Sequence, residues 1–254
     1  MANTTPGPSS FSISIVLPAL NEEANIEQAL KSATTVADRL CRDHEILVVD
    51  DGSTDGTATV VRAAAAADTR VKLLSHPFNR GYGEALRTGF RAATMDLVFF
   101  TDADNQFDLN ELEAFLPFAA TVDVVAGYRI NRQDPPLRRL AAWAWNHLVR
   151  VVFYVPVRDI DCAFKLFRRD VFEDIDLESV GAMVNTELMV KVGRSGRSIV
   201  ELGVRHYPRL AGSPRGAHPK VVARALYELV RMRGRLRGVG PGRAGDLMQP
   251  RPDS

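Results

Sequence analysis

Only two cysteines, Cys41 and Cys162, occur among 254 residues. That scarcity excludes a disulfide framework and fits a reducing compartment. Long apolar runs are also missing. The longest, Val151–Val157 among them, have seven residues, whereas a spanning helix needs roughly 18–20, so no segment is expected to cross a bilayer. The N-terminus lacks a basic stretch followed by an apolar one, and no signal peptide is expected. There is no CxxC pair, no GxSxG elbow and no Walker A sequence, which removes the common redox, hydrolase and P-loop readings. The histidines (His44, His76, His147, His206 and His218) show no metal-ligand spacing. No internal repeat is visible. What remains is ordinary: 46% hydrophobic and 25% charged residues, the composition of a folded globular chain. The length suits one large α/β domain or two smaller ones.

The net charge of +1 conceals an asymmetry. Residues 205–254 carry eleven Lys/Arg against three Asp/Glu, a net of +8, leaving −7 on residues 1–204. A basic end on an acidic body suits contact with phosphate, a membrane surface or nucleic acid. A solvated basic helix and tail is the plainer alternative. No stacking aromatics interleave with the C-terminal arginines, so nucleic acid is not expected as a partner.

Residues 1–10 and 238–254 are polar and rich in Pro or Gly, and both read as disordered. Between them, strand and helix patterns alternate. Strands are expected at Ser12–Leu17 (bounded by Pro18), Glu45–Val49, Val71–Ser75, Leu97–Thr101 and Val122–Gly127. Helical patterns run from Asn21 or Glu22 to Leu40, then to Ala67, and over 83–94. Continuous apolar strands separated by helices predict an α/β fold, a mostly parallel sheet with helices on both faces. Ligands of such sheets lie beyond the carboxyl ends of the strands. Acidic and polar residues crowd those ends here.

Asp102 and Asp104, two apart at a strand end, can turn toward one point. Hard divalent cations take oxygen ligands, and Mg²⁺ is usually held by one or two carboxylates plus substrate phosphates. Gln106 could add a carbonyl oxygen. Taken alone, a helix N-cap is the commoner use of such residues. The cluster Asp50-Asp51-Gly52-Ser53-Thr54-Asp55-Gly56 reads as a tight turn with capping, and its place at a strand end also suits a ligand role. Asn79-Arg80-Gly81-Tyr82-Gly83 lacks the third glycine and the later acid of a dinucleotide fingerprint. It remains a turn that would let backbone approach a ligand.

Together, Ser14–Glu23, Val49–Thr57, Asn79–Ala85 and Thr101–Gln106 resemble the motifs of glycosyltransferase family 2, in their order and spacing. That resemblance implies a GT-A fold, Rossmann-like, with a nucleotide-sugar-binding half (11–130) and an Asp-x-Asp metal site. Val157–Phe167, Asn185–Leu188 and Arg205–Ser213 are similar to the dolichol- or polyprenyl-phosphate mannosyl- and glucosyltransferases. They extend the domain through an acceptor half (131–216), followed by a basic amphipathic helix (217–237).

The resemblance implies roles residue by residue. Pro18, Leu20 and Glu22 would face the base and ribose of the donor, with Val49 and Asp51 beside them. Asp102, Asp104 and Gln106 would hold Mg²⁺ or Mn²⁺, with Ala103 against the nucleotide. Arg129, Arg138, Arg209 and Arg215 would meet donor or acceptor phosphates, and Asp159 would lie near the transferred sugar and acceptor. Asp159, Asp104 and Arg129 would form the catalytic set. Leu20 stands where the family often has an aromatic, Ala163 where it often has Gly, and Asn185 where it often has Asp. The implied activity is metal-dependent, inverting transfer of a sugar from GDP-mannose or UDP-glucose to polyprenyl phosphate. A soluble hydroxyl acceptor, or a catalytically silent nucleotide-sugar-binding protein, are the alternatives. Residues 137–157 carry both tryptophans with Arg138, Arg139 and Arg150, and residues 219–237 combine an apolar face with Arg231, Arg233, Arg235 and Arg237. Both suit a bilayer interface, and both suit equally a helix packed on the core with exposed arginines; the expected location is cytoplasmic, with peripheral contact at the membrane face on the first of these readings.

Overall fold

A computed structural model describes residues 10–130, 136–153, 155, 157–209 and 227–234, with backbone only over 136–141. The order is β1 (Ser12–Ala19), α1 (Glu23–Leu40), β2 (Asp43–Asp50), α2 (Thr57–Ala67), β3 (Val71–Ser75), α3 (Tyr82–Ala92), β4 (Leu97–Thr101), β5 (Val124–Ile130), α4 (Pro136–Phe153), β6 (Phe164–Arg168), α5 (Met183–Arg194) and β7 (Ile199–Arg205). Two short 3₁₀ helices lie between β4 and β5. The strands form one sheet in the order β3-β2-β1-β4-β6-β5-β7. β6 runs antiparallel to both of its neighbours, while the other pairs are parallel.

Side-chain alternation with period two divides the core between the two faces. Ile13, Ile15, Leu17, Ile46, Val48, Leu97, Phe99, Phe164 and Leu166 pack with α1, α2 and the 3₁₀ segment. Val16, Leu47, Val49, Val98, Phe100 and Phe167 pack with α3, α5 and the second half of α4. Burial on both faces explains why the strands read as continuous apolar runs. The face under α1 is met at Ile26, Ala29, Leu30, Ala33, Val36, Ala37 and Leu40, the three-and-four spacing of one helical stripe.

The chain winds outward from β1 through β2 to β3, then returns to β4 on the other side of β1. The crevice outside the carboxyl ends of β1 and β4 is therefore a topological switch point, where ligands bind in open α/β sheets. β6 enters antiparallel, with Phe164 opposite Thr101. Its leading turn consequently lies at the same rim as the end of β4.

Several boundaries differ from the sequence expectation. β1 runs through Pro18 to Ala19. Pro18 lies past the last β1–β4 pair, Val16–Phe100, where a residue without an N–H is tolerated. β5 begins at Val124 and continues to Ile130. Neither cysteine is in a disulfide, and both are buried. Residues 227–234 are helical. The rest of the 217–237 stretch, and the termini expected to be disordered (1–9 and 238–254), lie outside the described residues.

Candidate active site

The turn after β1 is built by asparagine. Asn21 has φ 54°, a left-handed conformation that asparagine adopts more readily than most residues. Its Oδ1 accepts from Thr54 N–H (2.8 Å), and its own N–H donates to Ser53 Oγ (2.9 Å). Glu22 N–H donates to Thr57 Oγ1, and Gly56 N–H to Glu23. The Asp50–Gly56 turn, with Thr57, thus ties the end of β2 to the start of α1, and the N-cap residues of α1 and α2, Glu22 and Gly56, make no side-chain capping bond. Leu20 and Glu22 are half-buried beside this turn and Pro18 is buried.

Asp51 is 3% exposed and fully engaged. Its carboxylate accepts from Arg80 N–H (2.9 Å) and Gly81 N–H (2.8 Å) and pairs with His76 Nδ1 (2.7 Å). It holds the glycine loop. Gly81 has φ 102°, and a Cβ there would lie 2.3 Å from Val180 O; one on Gly83 would lie 2.1 Å from Ser179 O. The close approach at these two glycines is to the protein's own 179–180 segment. That contact brings Tyr82 into the site, where its hydroxyl donates to Asp102 Oδ1 at 2.8 Å.

Two further residues expected at the nucleotide have side chains turned into the core, which leaves only their backbone to face the crevice. Val49, expected beside the nucleotide, is 0% exposed and packed in the core, because β2 is covered on both faces. Ala103, expected against the nucleotide, is 2% exposed and belongs to the opposite cluster. Its methyl turns inward between the two aspartates.

Asp102 is half-buried and Asp104 is 8% exposed. Burial and the neighbouring Asp104 charge push the Asp102 carboxyl up to about 7, against the restraint of Tyr82, Arg129 and Lys165. Burial also raises Asp104, opposed by Arg209 and the Gln106 N–H. Two crowded carboxylates that favour protonation form a locus short of positive charge, and this donor set fits a hard divalent cation. Among the described residues no group of three or more His, Cys, Asp or Glu side chains could hold a metal ion. Phosphate oxygens and water would complete the shell, as is usual for Mg²⁺. Gln106 also joins this turn to the segment after β7. Its side-chain Nε2 donates to Tyr207 O (2.9 Å), and its main-chain carbonyl accepts from Tyr207 N–H (2.9 Å), and neither bond uses the side-chain carbonyl expected at the metal. Asn105, left-handed at φ 57°, ties the same turn to Asn25 of α1.

Arg129 and Asp159, far apart in sequence, form a bidentate pair. Nε donates to Oδ2 at 2.6 Å and Nη2 to Oδ1 at 2.7 Å. Although burial opposes it, the guanidinium holds the Asp159 carboxyl below its usual range. Arg209 reaches back to Glu22, their side chains in direct ionic contact. Its Nε is buried and finds no acceptor among the described residues. An oxyanion would suit that donor. The side chain of Arg138, in the first turn of α4, and all of Arg215 lie outside the described residues.

Residues that sequence reading did not single out complete the arrangement. Tyr82 on Asp102, Asn146 on the turn before β6 and the buried Lys165 all carry hydrogen bonds here. The one legible signal was Lys165, a charge in the middle of an apolar pentapeptide.

Residues 14–176 match the family described as Glycosyl transferase family 2. An undecaprenyl-phosphate 4-deoxy-4-formamido-L-arabinose transferase of Aeromonas hydrophila is 32% identical over 221 residues, covering 86% of this chain and 66% of the relative. The enzyme of the same name from Pectobacterium carotovorum is 29% identical, with the same coverage. The chain thus spans about two thirds of the length of these curated relatives. Among solved structures, glucosyl-3-phosphoglycerate synthase of Mycobacterium tuberculosis, crystallised with Mn²⁺, UDP-glucose and phosphoglyceric acid, aligns with TM-score 0.69 at 22% identity. That alignment covers 88% of this chain and 80% of the other. The same enzyme with Mg²⁺ and UDP gives TM-score 0.69 at 21% identity and the same coverage. The likeness extends to the fold, GT-A.

Proposed function

The chain belongs to glycosyl transferase family 2, and from that membership we propose that it transfers a sugar from a nucleotide-sugar, GDP-mannose or UDP-glucose, to a polyprenyl phosphate. The carrying observation is the Arg129–Asp159 pair. A carboxylate gripped at both oxygens and held below its usual range is a weak proton acceptor at neutral pH. A hydroxyl acceptor would need a base at this place. A phosphate monoester needs none, because its second pKa is near ~6 and it arrives ionised. The relatives named for transfer onto undecaprenyl phosphate support the same acceptor.

In this reading an acceptor phosphate oxygen attacks the anomeric carbon as the bond to the nucleoside diphosphate breaks, inverting that carbon. Arg129 spends its Nε–Nη2 edge on Asp159, which leaves Nη1 for a phosphate. Arg209 offers its unpartnered Nε to the departing diphosphate. Asp102 and Asp104 would hold Mg²⁺ or Mn²⁺, and that ion would neutralise charge on the leaving group. Pro18, Leu20 and Glu22 line the donor side.

A lipid acceptor also needs a membrane-facing surface. Trp143 (60% exposed) and Val151 (56%) lie on α4, two turns apart. Tyr227 and Val230 are exposed on the helical segment 227–234, beside exposed Arg231 and Arg233. Leu229 and Met232 anchor that segment in the same apolar cluster as Val149 and Phe153. Among the described residues no helix is long and apolar enough to cross a membrane, so the contact in this reading is peripheral. Flotation with anionic vesicles is expected to carry the protein upward at low salt. Replacing Trp143, Val151 and Tyr227 by serine is expected to leave it at the bottom of the gradient.

The primary test has two steps. A panel of nucleotide-sugars is screened by thermal shift with Mn²⁺ and with EDTA. One donor is expected to raise Tm only with metal, since a ligand that binds only the folded state stabilises by about 2.7 kcal/mol at a hundred times its Kd. Labelled donor is then offered with undecaprenyl phosphate or with soluble hydroxyl acceptors. Label entering only the lipid fraction is the expected result. Efficient labelling of a hydroxyl acceptor would overturn the phosphate-acceptor reading, and no shift with any donor would favour a silent module.

A further inference from the structure

Lys165 is the second residue of β6, opposite Phe100 of β4 and Ala126 of β5, and is 0% exposed. Burying an ammonium is unfavourable, and an apolar side chain there would satisfy the surrounding core at lower cost. The ammonium is used in one place. It donates to the main-chain carbonyls of Ile160 (3.0 Å) and Cys162, and it lies 5.5 Å from the Phe100 ring centroid. Those carbonyls belong to the turn that carries Asp159.

The turn is held from other sides as well. Asn146 Oδ1 of α4 accepts from Ile160 N–H at 2.9 Å. Glu201 of β7 accepts from Arg158 N–H at 2.7 Å, and Arg129 of β5 grips Asp159. Elements β5, β6, β7 and α4 thus meet on five residues. A turn with this much fixed hydrogen bonding is preorganised, and the Arg129–Asp159 pair inherits its position from it.

We propose that Lys165 is a positioning residue for sugar transfer: it locks the 158–162 turn from beneath, and so fixes where the Arg129–Asp159 pair meets the donor sugar and the acceptor phosphate. This rests on the function proposed above. Lys165 touches no substrate, and its effect passes through main-chain carbonyls. Burial lowers the Lys165 pKa, and the nearby Asp159 and Asp161 charges support its protonated form.

The test is Lys165→Met in the full chain, with three readouts. For sugar transfer to undecaprenyl phosphate, kcat is expected to fall about a hundredfold, the scale of a small misplacement at a reacting centre. Donor Kd with Mn²⁺, measured by titration with UDP-glucose and GDP-mannose, is expected to stay within about threefold of wild type, because the donor side is built by other elements. Amide exchange is expected to accelerate in peptides covering 158–162, while β1, β2 and β4 stay protected. Unchanged kcat or unchanged exchange in a folded variant would overturn the proposal. So would loss of donor binding in step with kcat, because that marks general structural damage. If Lys165→Met does not fold, Asn146→Ala decides, since it releases the same turn from outside the sheet. It is expected to lower kcat about tenfold with local acceleration of exchange, and no effect on either would refute the inference. If wild-type protein makes no lipid-linked product, the functional reading falls. The exchange readout then decides alone whether Lys165 locks the turn.

Discussion

Asp104→Ala is expected to lower kcat/KM by about a thousandfold while the protein keeps its fold, the scale of removing one strong electrostatic element from a transition state. The stabilising effect of Mn²⁺ on Tm should vanish with it. Metal-free stability should hold or rise. The Asp104 carboxyl is raised by burial, so its ionised form opposes folding above its unfolded pKa, and alanine removes that opposition. Thermal melts with EDTA and with Mn²⁺, beside the transfer assay, check both parts. Unchanged turnover in Asp104→Ala would remove the metal site from the reaction.

The same carboxylates make the metal response depend on pH. Asp102 is pushed up to about 7 by burial and by Asp104, so below that pH a proton competes with the cation. The rise in Tm produced by Mn²⁺ should therefore be larger near pH 8 than near pH 6, and apparent affinity should weaken up to about tenfold per pH unit on the acid side. An affinity that does not vary between those values would contradict the assignment.

Asp159→Ala should be the more damaging substitution for stability. It leaves Arg129, whose side chain is 15% exposed, without its bidentate partner, and breaking a buried pair costs about 3–5 kcal/mol. Transfer should fall with it, because Arg129 loses the contact that aims it. Denaturant unfolding and steady-state kinetics measure the two effects. The pH sign is opposite to that of the metal pair. Asp159 has a depressed folded pKa, so its contribution to stability is present above its unfolded value near ~3.9 and is lost as pH falls through the folded value. The acid limb of kcat/KM should accordingly follow the acceptor phosphate near ~6. A limb that disappears in Asp159→Asn while transfer persists would instead make Asp159 a base.

The donor half was legible because its signals are local. Strand runs, the Asp50–Gly56 turn and the Asp102–Asp104 pair each lie within a few residues, and the alternation of strands with helices orders them along one rim. The acceptor half was less legible. Phe164–Arg168 carries a lysine at its second position and pairs antiparallel with strands distant in sequence, so no local period announces it. The side chains of Val49 and Ala103 face the core for a related reason. A motif marks residues that lie together in sequence, but only the sheet determines which side chain faces the crevice and which faces the core. For Gly81 and Gly83, sequence shows that backbone must pass close to something. The fold shows that the neighbour is Ser179–Val180.

By itself the sequence determined an α/β chain with acids gathered at the strand ends, because burial on both faces and turn chemistry act over short stretches. Only the tertiary structure decided the partners: Arg129 with Asp159, Arg209 with Glu22, Tyr82 with Asp102, and Lys165 with the turn that carries Asp159. Those pairings join residues separated by up to 187 positions. They follow from the strand order, which sets β6 beside β4 and β5 and β7 beyond it, and from the approach of Gly81 and Gly83 to residues 179–180; local propensity fixes neither.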